Sequence, residues 1–281
     1  MARLYRFFTR HLVTESLPQN PERPFHLTET LEPEIFYQMA KVLRAAPGDK
    51  IILLPAAQEE PYFEYEYAVE SAQKKDIVLR FLRKKANENE LDFNLGLILC
   101  VPNKPDKLEF ILQKAVELGV NRITLVEGDF SQMRHNLRTD RLEKIIIEAA
   151  EQSERAMVPE LLAGESSGRK PGTGKLGKYL ESLPEAERKN IFVAMERLGE
   201  EHPLQSILQN LHPKSARADS GGHRTSDADL QILVGPEGGF SDAEKQFIKD
   251  LKLTCFSMGK RILRMETAAI LALGLASMPI K

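Results

Sequence analysis

The feature that most constrains the fold is an alternation of strand-like and helix-like segments over residues 95–281. Residues 95–101 (LGLILCV) are a wholly apolar run of strand length, and the apolar residues of 106–118 then repeat on one face of a helix. Gly119 stands where the C-terminal cap of that helix belongs. Because a wholly apolar strand has to be covered on both faces, the alternation predicts an α/β fold, a largely parallel sheet with helices on both sides.

The same alternation continues to the C-terminus. Further strands are predicted at 122–126, 190–195, 230–235 and 253–258, and further helices at 141–156, from 241 onward and at 267–277. Two polar segments, 164–177 and 212–229, are predicted to be surface loops because they contain few apolar residues.

The first 80 residues have a different character. Short β-type runs at 50–54, 62–69 and 77–82 are interrupted by one helical segment, 33–44, which predicts a small, mostly β barrel. The polar stretch 84–90 (KKANENE) is predicted to be a linker. The chain is therefore divided into a β domain, 1–83, and an α/β domain, 84–281.

Composition narrows the classes of function. A net charge of −2 does not indicate a strongly basic nucleic-acid binder, so any RNA contact has to come from local patches. Cys100 and Cys255 lie in apolar runs and are predicted to be buried free thiols, which is typical of a cytoplasmic protein. The sequence contains no membrane-spanning run and no signal-peptide pattern, so no membrane partner is expected.

Two C-terminal segments have the pattern of a ligand site. In the first, an apolar strand ends in a loop with Gly235, Gly238 and Gly239, and Ser241 and Glu244 then match a capping box that starts a helix. Ligands of open α/β sheets bind at this end of a strand, and glycines let the backbone approach them closely. A tight turn that merely joins two elements fits the local pattern equally well.

In the second segment, residues 258–269, another apolar strand reaches a glycine, Gly259, and a basic irregular stretch leads into an apolar helix. Burial of that helix places Arg264, Glu266 and Thr267 near its first turn, where a carboxylate suits the positive end of the helix dipole. The alternative is that Arg264 and Glu266 form a purely structural ion pair.

Taken together, GPEGGFSDAE at 235–244 and MGKRILRMETAAI at 258–270 resemble the bacterial enzymes that methylate uracil N3 in small-subunit ribosomal RNA, a family of the knotted SPOUT superfamily. Other parts of the chain match the family's motifs in the family's order. These are KLEFILQKAVELG at 107–119, EAAEQSER at 148–155, RFF at 6–8, and VLR at 42–44 with GD at 48–49.

The resemblance implies an N-terminal PUA-like β-barrel, joined to an α/β domain with a deep trefoil knot whose loops bind S-adenosylmethionine. It also implies a homodimer whose partner is 16S ribosomal RNA or the small ribosomal subunit. The cofactor-binding residues implied here are Met195, Gly235, Pro236, Glu237, Gly238, Gly239, Met258, Gly259, Ile262 and Leu263.

The implied chemistry assigns roles to two charged residues. Uracil N3 carries a proton that has to leave before or during attack on the methyl group, so a base or a cation would assist the reaction. Arg264 is the predicted cation, and Glu266 is a predicted base or orienter of Arg264, with a structural role for Glu266 left open. No metal is needed, and the six histidines show no ligand spacing.

RNA contacts are predicted for Arg3, Arg6 and Arg10, which are interleaved with Phe7 and Phe8. The alternative is that the phenylalanines belong to a barrel strand and that the arginines are solvated. Gln152 and Arg155 are placed on the substrate side, with a packing role left open. Two further hypotheses remain, a knotted methyltransferase with another RNA target and a non-catalytic RNA-binding ribosome-assembly factor.

Overall fold

The computed structural model describes residues 3–9, 22–55, 62–131, 137–163, 175–196, 202–204 and 230–278. The contacts among these residues divide the chain into two compact units. The first contains the described residues up to Glu90 together with Ala150–Val158, and the second contains those of Leu91–Ala149 and those from Pro159 onward that are described.

The first unit is built on a five-stranded sheet with the strand order β1-β3-β4-β5-β2. Its strands are β1 (Leu4–Thr9), β2 (Phe25–Thr28), β3 (Lys50–Pro55), β4 (Phe63–Ala72) and β5 (Asp76–Ala86). β1 and β3 are parallel, whereas the other neighbours are antiparallel. The inward side chains, among them Leu27, Ile51, Tyr65 and Leu79, form one core, so the predicted β character of this part is confirmed.

Two sequence predictions for this unit are wrong in detail. The segment predicted as one helix, 33–44, is a short helix α1 (Pro33–Tyr37) that continues as a π-helical turn, Gln38–Val42. The stretch predicted as a linker, 84–90, begins inside β5. Lys84, the first residue of that stretch, lies over the Phe63 ring of the neighbouring strand β4 and contributes to the contact between the two strands.

The second unit is built on a seven-stranded sheet with the order β10-β12-β9-β11-β6-β7-β8, in which every neighbouring pair is parallel. Its strands are β6 (Leu95–Cys100), β7 (Arg122–Val126), β8 (Glu160–Ala163), β9 (Ile191–Ala194), β10 (His202–Pro203), β11 (Leu230–Val234) and β12 (Thr254–Ser257). β6 and β11 are buried along their whole length, which is why their sequences are almost entirely apolar; the one polar residue, Gln231 in β11, is also buried. The predicted parallel α/β sheet is confirmed.

The remaining helices are α2 (Pro105–Glu117), α3 (Thr139–Gln152), α4 (Leu176–Ser182), α5 (Glu185–Arg188), α6 (Asp242–Asp250) and α7 (Met265–Ser277). The prediction extended α3 to residue 156, but the helix ends earlier because Glu154 adopts a left-handed φ of 57°. The N–H of Arg155 then donates to the carbonyl of Ala150 at 3.0 Å, which is the bond of a Schellman cap. α7 packs against α2, β6 and β11.

The predictions for the two thiols have different outcomes. Cys100 is a buried free thiol, as predicted, whereas Cys255 is half-buried because its strand, β12, is only partly covered. Within the part of the chain that the structure describes, no helix is long and apolar enough to cross a membrane.

Candidate functional site

Three loops that were predicted to bind a cofactor follow three neighbouring strands. β9 lies between β11 and β12 in the sheet, and all three strands run in the same direction. Because the carboxyl ends of parallel strands meet at one edge of a sheet, the loops that begin at Met195, Gly235 and Met258 share that edge. The backbone N–H of Leu263 donates to Glu196 Oε1 at 3.0 Å, which links the first of these loops to the third.

The loop after β11 uses its glycines for different reasons. A Cβ on Gly235 would lie 2.9 Å from the Phe240 ring, and a Cβ on Gly238 would lie 3.0 Å from Phe130. Gly239 has a positive φ of 75°, and a Cβ there would meet no atom of the described residues within 4 Å. Close packing therefore requires the first two glycines, and backbone conformation requires the third.

The helix after this loop is fixed at its N-terminus. Ser241 caps α6, and the N–H of Ser241 donates to the Glu244 carboxylate at 2.8 Å, so the predicted capping box is confirmed. The buried Glu244 carboxylate also accepts the N–H of Asp129 at 2.9 Å, while the Ser241 hydroxyl donates to Asp129 at 2.6 Å. These bonds attach the end of the loop 235–240, called the glycine loop below, to the segment that follows β7.

The loop after β12 presents backbone and one apolar side chain. Gly259 has a positive φ of 110°, and within the described part of the chain a Cβ there would meet no atom closer than 4 Å. Met258 and Leu263 are half-buried. Ile262 is 63% exposed, so most of its apolar side chain is accessible at this edge of the sheet.

The two predicted catalytic residues stand at the start of α7 but are not paired. Arg264 is exposed, and its carbonyl accepts the N–H of Ala268 at 2.8 Å. Among the described residues, its guanidinium makes no hydrogen bond or ion pair, so the structural ion pair between Arg264 and Glu266, which was the alternative interpretation, is not formed. Glu266 Oε2 lies instead 3.8 Å from Lys107 Nζ.

Lys107 is a residue that sequence reasoning missed as part of the site. It lies in the first turn of α2, and its Nζ is 3.3 Å from Glu237 Oε1 in the glycine loop. The N–H of Asn103 also reaches both oxygens of Glu237 at 3.3 Å. The sequence indicated that α2 follows β6 in the chain. It did not indicate that β6 lies next to β11, which is what brings Lys107 close to the loop after β11.

The predicted RNA-contacting arginines that the structure describes are engaged within the first unit. Arg3 donates to the carbonyls of Leu43 and Arg44 and pairs with Asp49 at 3.0 Å, although half of its side chain stays exposed. Arg6 is largely buried and pairs with Glu64 at 2.8 Å.

Gln152 and Arg155, the two residues predicted to lie on the substrate side, also belong to this unit. Arg155 is 3% exposed, and its guanidinium donates two hydrogen bonds to the carboxylate of Glu90. Arg6 donates to the Arg155 carbonyl at 3.3 Å, so the structure brings these two arginines together. Gln152 is exposed.

Two outcomes complete the set of predicted RNA contacts. Arg10 lies outside the described residues. Phe7 and Phe8 are buried in β1, as the alternative interpretation of that segment had it, but Arg6 is not solvated as that interpretation also had it.

The chain resembles known proteins over most of its length. A family model described as an RNA methyltransferase domain matches residues 89–277. The chain belongs to this family. It is 28% identical over 277 residues to the ribosomal RNA small subunit methyltransferase E of Bacillus subtilis, which is 95% of each chain. It is 31% identical over 193 residues to the protein of that name from Rickettsia conorii, covering 68% of this chain and 66% of that one.

A solved structure adds a likeness in three dimensions. The ribosomal RNA small subunit methyltransferase E of Neisseria gonorrhoeae, bound to S-adenosyl methionine, matches with a TM-score of 0.69 at 25% identity. The match covers 96% of this chain and 95% of that chain. The likeness of this RNA methyltransferase to its relatives therefore includes the N-terminal unit as well as the α/β unit.

Proposed function

We propose that this protein transfers the methyl group of S-adenosylmethionine to N3 of a uridine in the 16S RNA of the small ribosomal subunit. The observation that carries the proposal is the meeting of three loops at one sheet edge, two of them with a glycine of positive φ. The names of the relatives and the cofactor bound to the Neisseria protein support the choice of reaction class and cofactor.

The residues at this edge fit S-adenosylmethionine. None of the residues that the structure describes fills the space beside the Cα atoms of Gly239 and Gly259, so backbone N–H and C=O groups can approach an adenosine closely there. Ile262 offers an exposed apolar surface for the flat adenine ring. The residues that would hold the cofactor are Met195, Gly235, Pro236, Glu237, Gly238, Gly239, Met258, Gly259, Ile262 and Leu263. When bound, the cofactor supplies a methyl group on a positively charged sulfur.

The chemistry requires a new bond between the methyl carbon and N3, loss of the bond between that carbon and sulfur, and departure of the N3 proton. Arg264 is exposed at the N-terminus of α7, where a cation can stabilise the negative charge that develops on the uracil ring. Glu266 Oε2 is buried and has no hydrogen-bond partner among the described residues, so it retains the capacity to accept the proton. In this proposal Arg264 is the electrostatic catalyst and Glu266 the base.

The fold and assembly implied by the family also enter as proposals. We infer that residues 1–83 form a PUA-like barrel that binds RNA and that residues 84–281 form the knotted domain. The strand order supports the knot, because the chain leaves β12 on the far side of β9 and returns as α7 to pack on β11 and β6. Phe110 and Leu271 support a homodimer, since both are exposed apolar side chains on two helices that pack together, α2 and α7.

We propose different roles in RNA binding for the residues of the predicted RNA-binding set, which are Arg3, Arg6, Arg10, Gln152 and Arg155. Arg3 and Gln152 are exposed enough to reach a phosphate. Arg6 and Arg155 are held by Glu64 and Glu90, so their proposed contribution is to shape the surface that carries the other two. The alternatives are another RNA target and a non-catalytic assembly factor.

The deciding experiment incubates the purified protein with S-adenosylmethionine and small ribosomal subunits from a strain that lacks the corresponding gene. Nuclease mapping by mass spectrometry is expected to find one new methyl group on a uridine, at N3. A methyl group elsewhere would favour another RNA target, and none at all, with no cofactor binding, would favour the assembly factor.

The Arg264→Ala variant tests the proposed division of roles in the same assay. Because one electrostatic stabiliser of a transition state is worth about 10²–10³ in rate, transfer should fall by that factor while cofactor affinity changes little. Lys260→Ala, which removes an exposed cation from the same loop, is the control. Equal losses of transfer and affinity in R264A would mean that Arg264 mainly shapes the cofactor loop.

A further inference from the structure

One cation in the second unit faces two carboxylates that come from different segments. Lys107 Nζ on α2 lies 3.3 Å from Glu237 Oε1 and 3.8 Å from Glu266 Oε2. Glu237 belongs to the glycine loop after β11, and Glu266 belongs to the first turn of α7. The lysine therefore stands between two of the segments that make up the proposed cofactor and substrate site.

The surroundings of this cluster distinguish it from an ordinary surface ion pair. The three charged side chains are only 31%, 24% and 19% exposed for Lys107, Glu237 and Glu266. Glu237 is held further by the N–H of Asn103, at 3.3 Å from both of its oxygens. Two carboxylates that share one cation would repel each other without it, and partial burial weakens the screening of that repulsion by water.

We propose that Lys107 is a positioning residue of the site, whose ammonium group ties the glycine loop to the start of α7. The tie holds Glu237 and Glu266 in place before the cofactor arrives, so the loops need little rearrangement on binding. The role in cofactor binding rests on the proposed function, whereas the tie itself can be measured on the protein without a cofactor.

The test compares three variants. Lys107→Met removes the charge and keeps most of the side chain, and Lys107→Arg keeps the charge. Lys114→Met is the matched control, because Lys114 is on the same helix, is 32% exposed and pairs with Glu117 at 2.7 Å. Hydrogen exchange of the amides of residues 237–240 is measured without the cofactor, and affinity for S-adenosylmethionine is measured by calorimetry.

In K107M, the loop amides should exchange faster and affinity for S-adenosylmethionine should fall about fivefold, as expected for a lost, partly buried ion pair. The rate at saturating cofactor should change less than the affinity, K107R should recover most of both readouts, and K114M should leave them unchanged. Adding Glu266→Gln to K107M should restore only part of the loop protection, because it removes the repulsion but not the loss of the ammonium group.

Two results separate the proposals. Unchanged exchange and affinity in K107M, with the protein folded, would overturn the role of Lys107. Faster exchange in K107M with no S-adenosylmethionine binding by the wild-type protein would overturn the proposed function and support the tie between loop and helix.

Discussion

At the scale of single residues, the glycines of the site have separable roles. Gly235 lies against Phe240 with no room for a Cβ, whereas Gly239 has room but a left-handed φ. The sequence predicted that glycines were needed in this loop. It did not show which one was needed for packing and which one for backbone conformation, because the contact with Phe240 depends on how the loop folds back.

A substitution series checks this distinction. Gly235→Ala should lower the free energy of unfolding by about 1–3 kcal/mol, because the added methyl group overpacks the Phe240 ring. Gly239→Ala should cost about 1–2 kcal/mol through its backbone alone. Gly274→Ala in α7 is the control, since its Cβ would make only a 3.9 Å contact with Leu118, and it should stabilise the protein by about 0.5–1 kcal/mol. Urea denaturation measures all three, and equal effects at the three positions would refute the distinction.

The positions of the two proposed catalytic residues could be predicted from the sequence, but their contacts could not. Arg264 and Glu266 were located correctly at the start of the last helix, because the apolar helix and the preceding glycine are local signals. The partner of Glu266 was not found, because Lys107 is brought to it by the packing of α7 on α2. Such a contact joins residues that are far apart in sequence, and no periodicity encodes it.

At the scale of elements, the capping box of α6 is both a sequence signal and a structural anchor. Ser241 and Glu244 are spaced as a capping box requires, and this local pattern was enough to predict where the helix begins. The further bond from the Asp129 N–H to Glu244 was not predictable, because it connects two separate βα loops.

We expect Ser241→Ala to lower the free energy of unfolding by about 1 kcal/mol, the usual effect of losing an N-cap. Glu244→Ala should cost about 1–3 kcal/mol, because it leaves the partly buried N–H groups of Ser241 and Asp129 without their charged acceptor. Lys245→Ala on the same helix, which loses an exposed i,i+3 pair with Asp242, should stay within about 0.5 kcal/mol. Chemical denaturation gives the three values, and a loss in E244A no larger than that in K245A would contradict the anchor.

Elements of low regularity account for most of the differences between the predicted and observed folds. Short pieces such as β8 (Glu160–Ala163) and α5 (Glu185–Arg188) have too few residues for a period to emerge. The apolar runs of β6 and β11 and the helical period of α2 are stronger local signals, and these elements were predicted correctly. The order of the strands could not be predicted from local patterns, because it depends on contacts between strands that are far apart in the sequence.

At the scale of the whole molecule, the stability of the first unit should depend on pH. Burial raises the pKa of Asp49, but hydrogen bonds from the N–H groups of Arg3 and Ala46 and from the Arg3 guanidinium lower it further than burial raises it. Burial likewise raises the pKa of Glu66, and its bonds to Lys50 and Arg83 outweigh that effect, so both carboxyls have pKa values below their ordinary ones.

Because these pKa values are lower in the folded state, the two carboxylates stabilise the fold above the pKa values of the unfolded chain. That contribution is lost as the pH falls through the folded pKa values. Urea midpoints should therefore decrease on acidification below about pH 4, and Asp49→Asn should cost about 1–2 kcal/mol at pH 7 while flattening the decrease. An Asp49→Asn protein whose stability falls with pH as steeply as that of the wild type would show that Asp49 is not responsible.

The central claim is that the three loops at the carboxyl edge of the parallel sheet hold S-adenosylmethionine, and a calorimetric titration tests it most directly. The wild-type protein should bind one molecule per chain. Gly259→Val, which places a branched side chain in the open space beside the loop, should weaken binding by at least about tenfold. Gly48→Val is the control, because Gly48 has a similar positive φ and open space but lies in the first unit. A wild-type protein that releases no heat with S-adenosylmethionine, or a folded G259V protein that binds it as tightly as the wild type, would contradict the account.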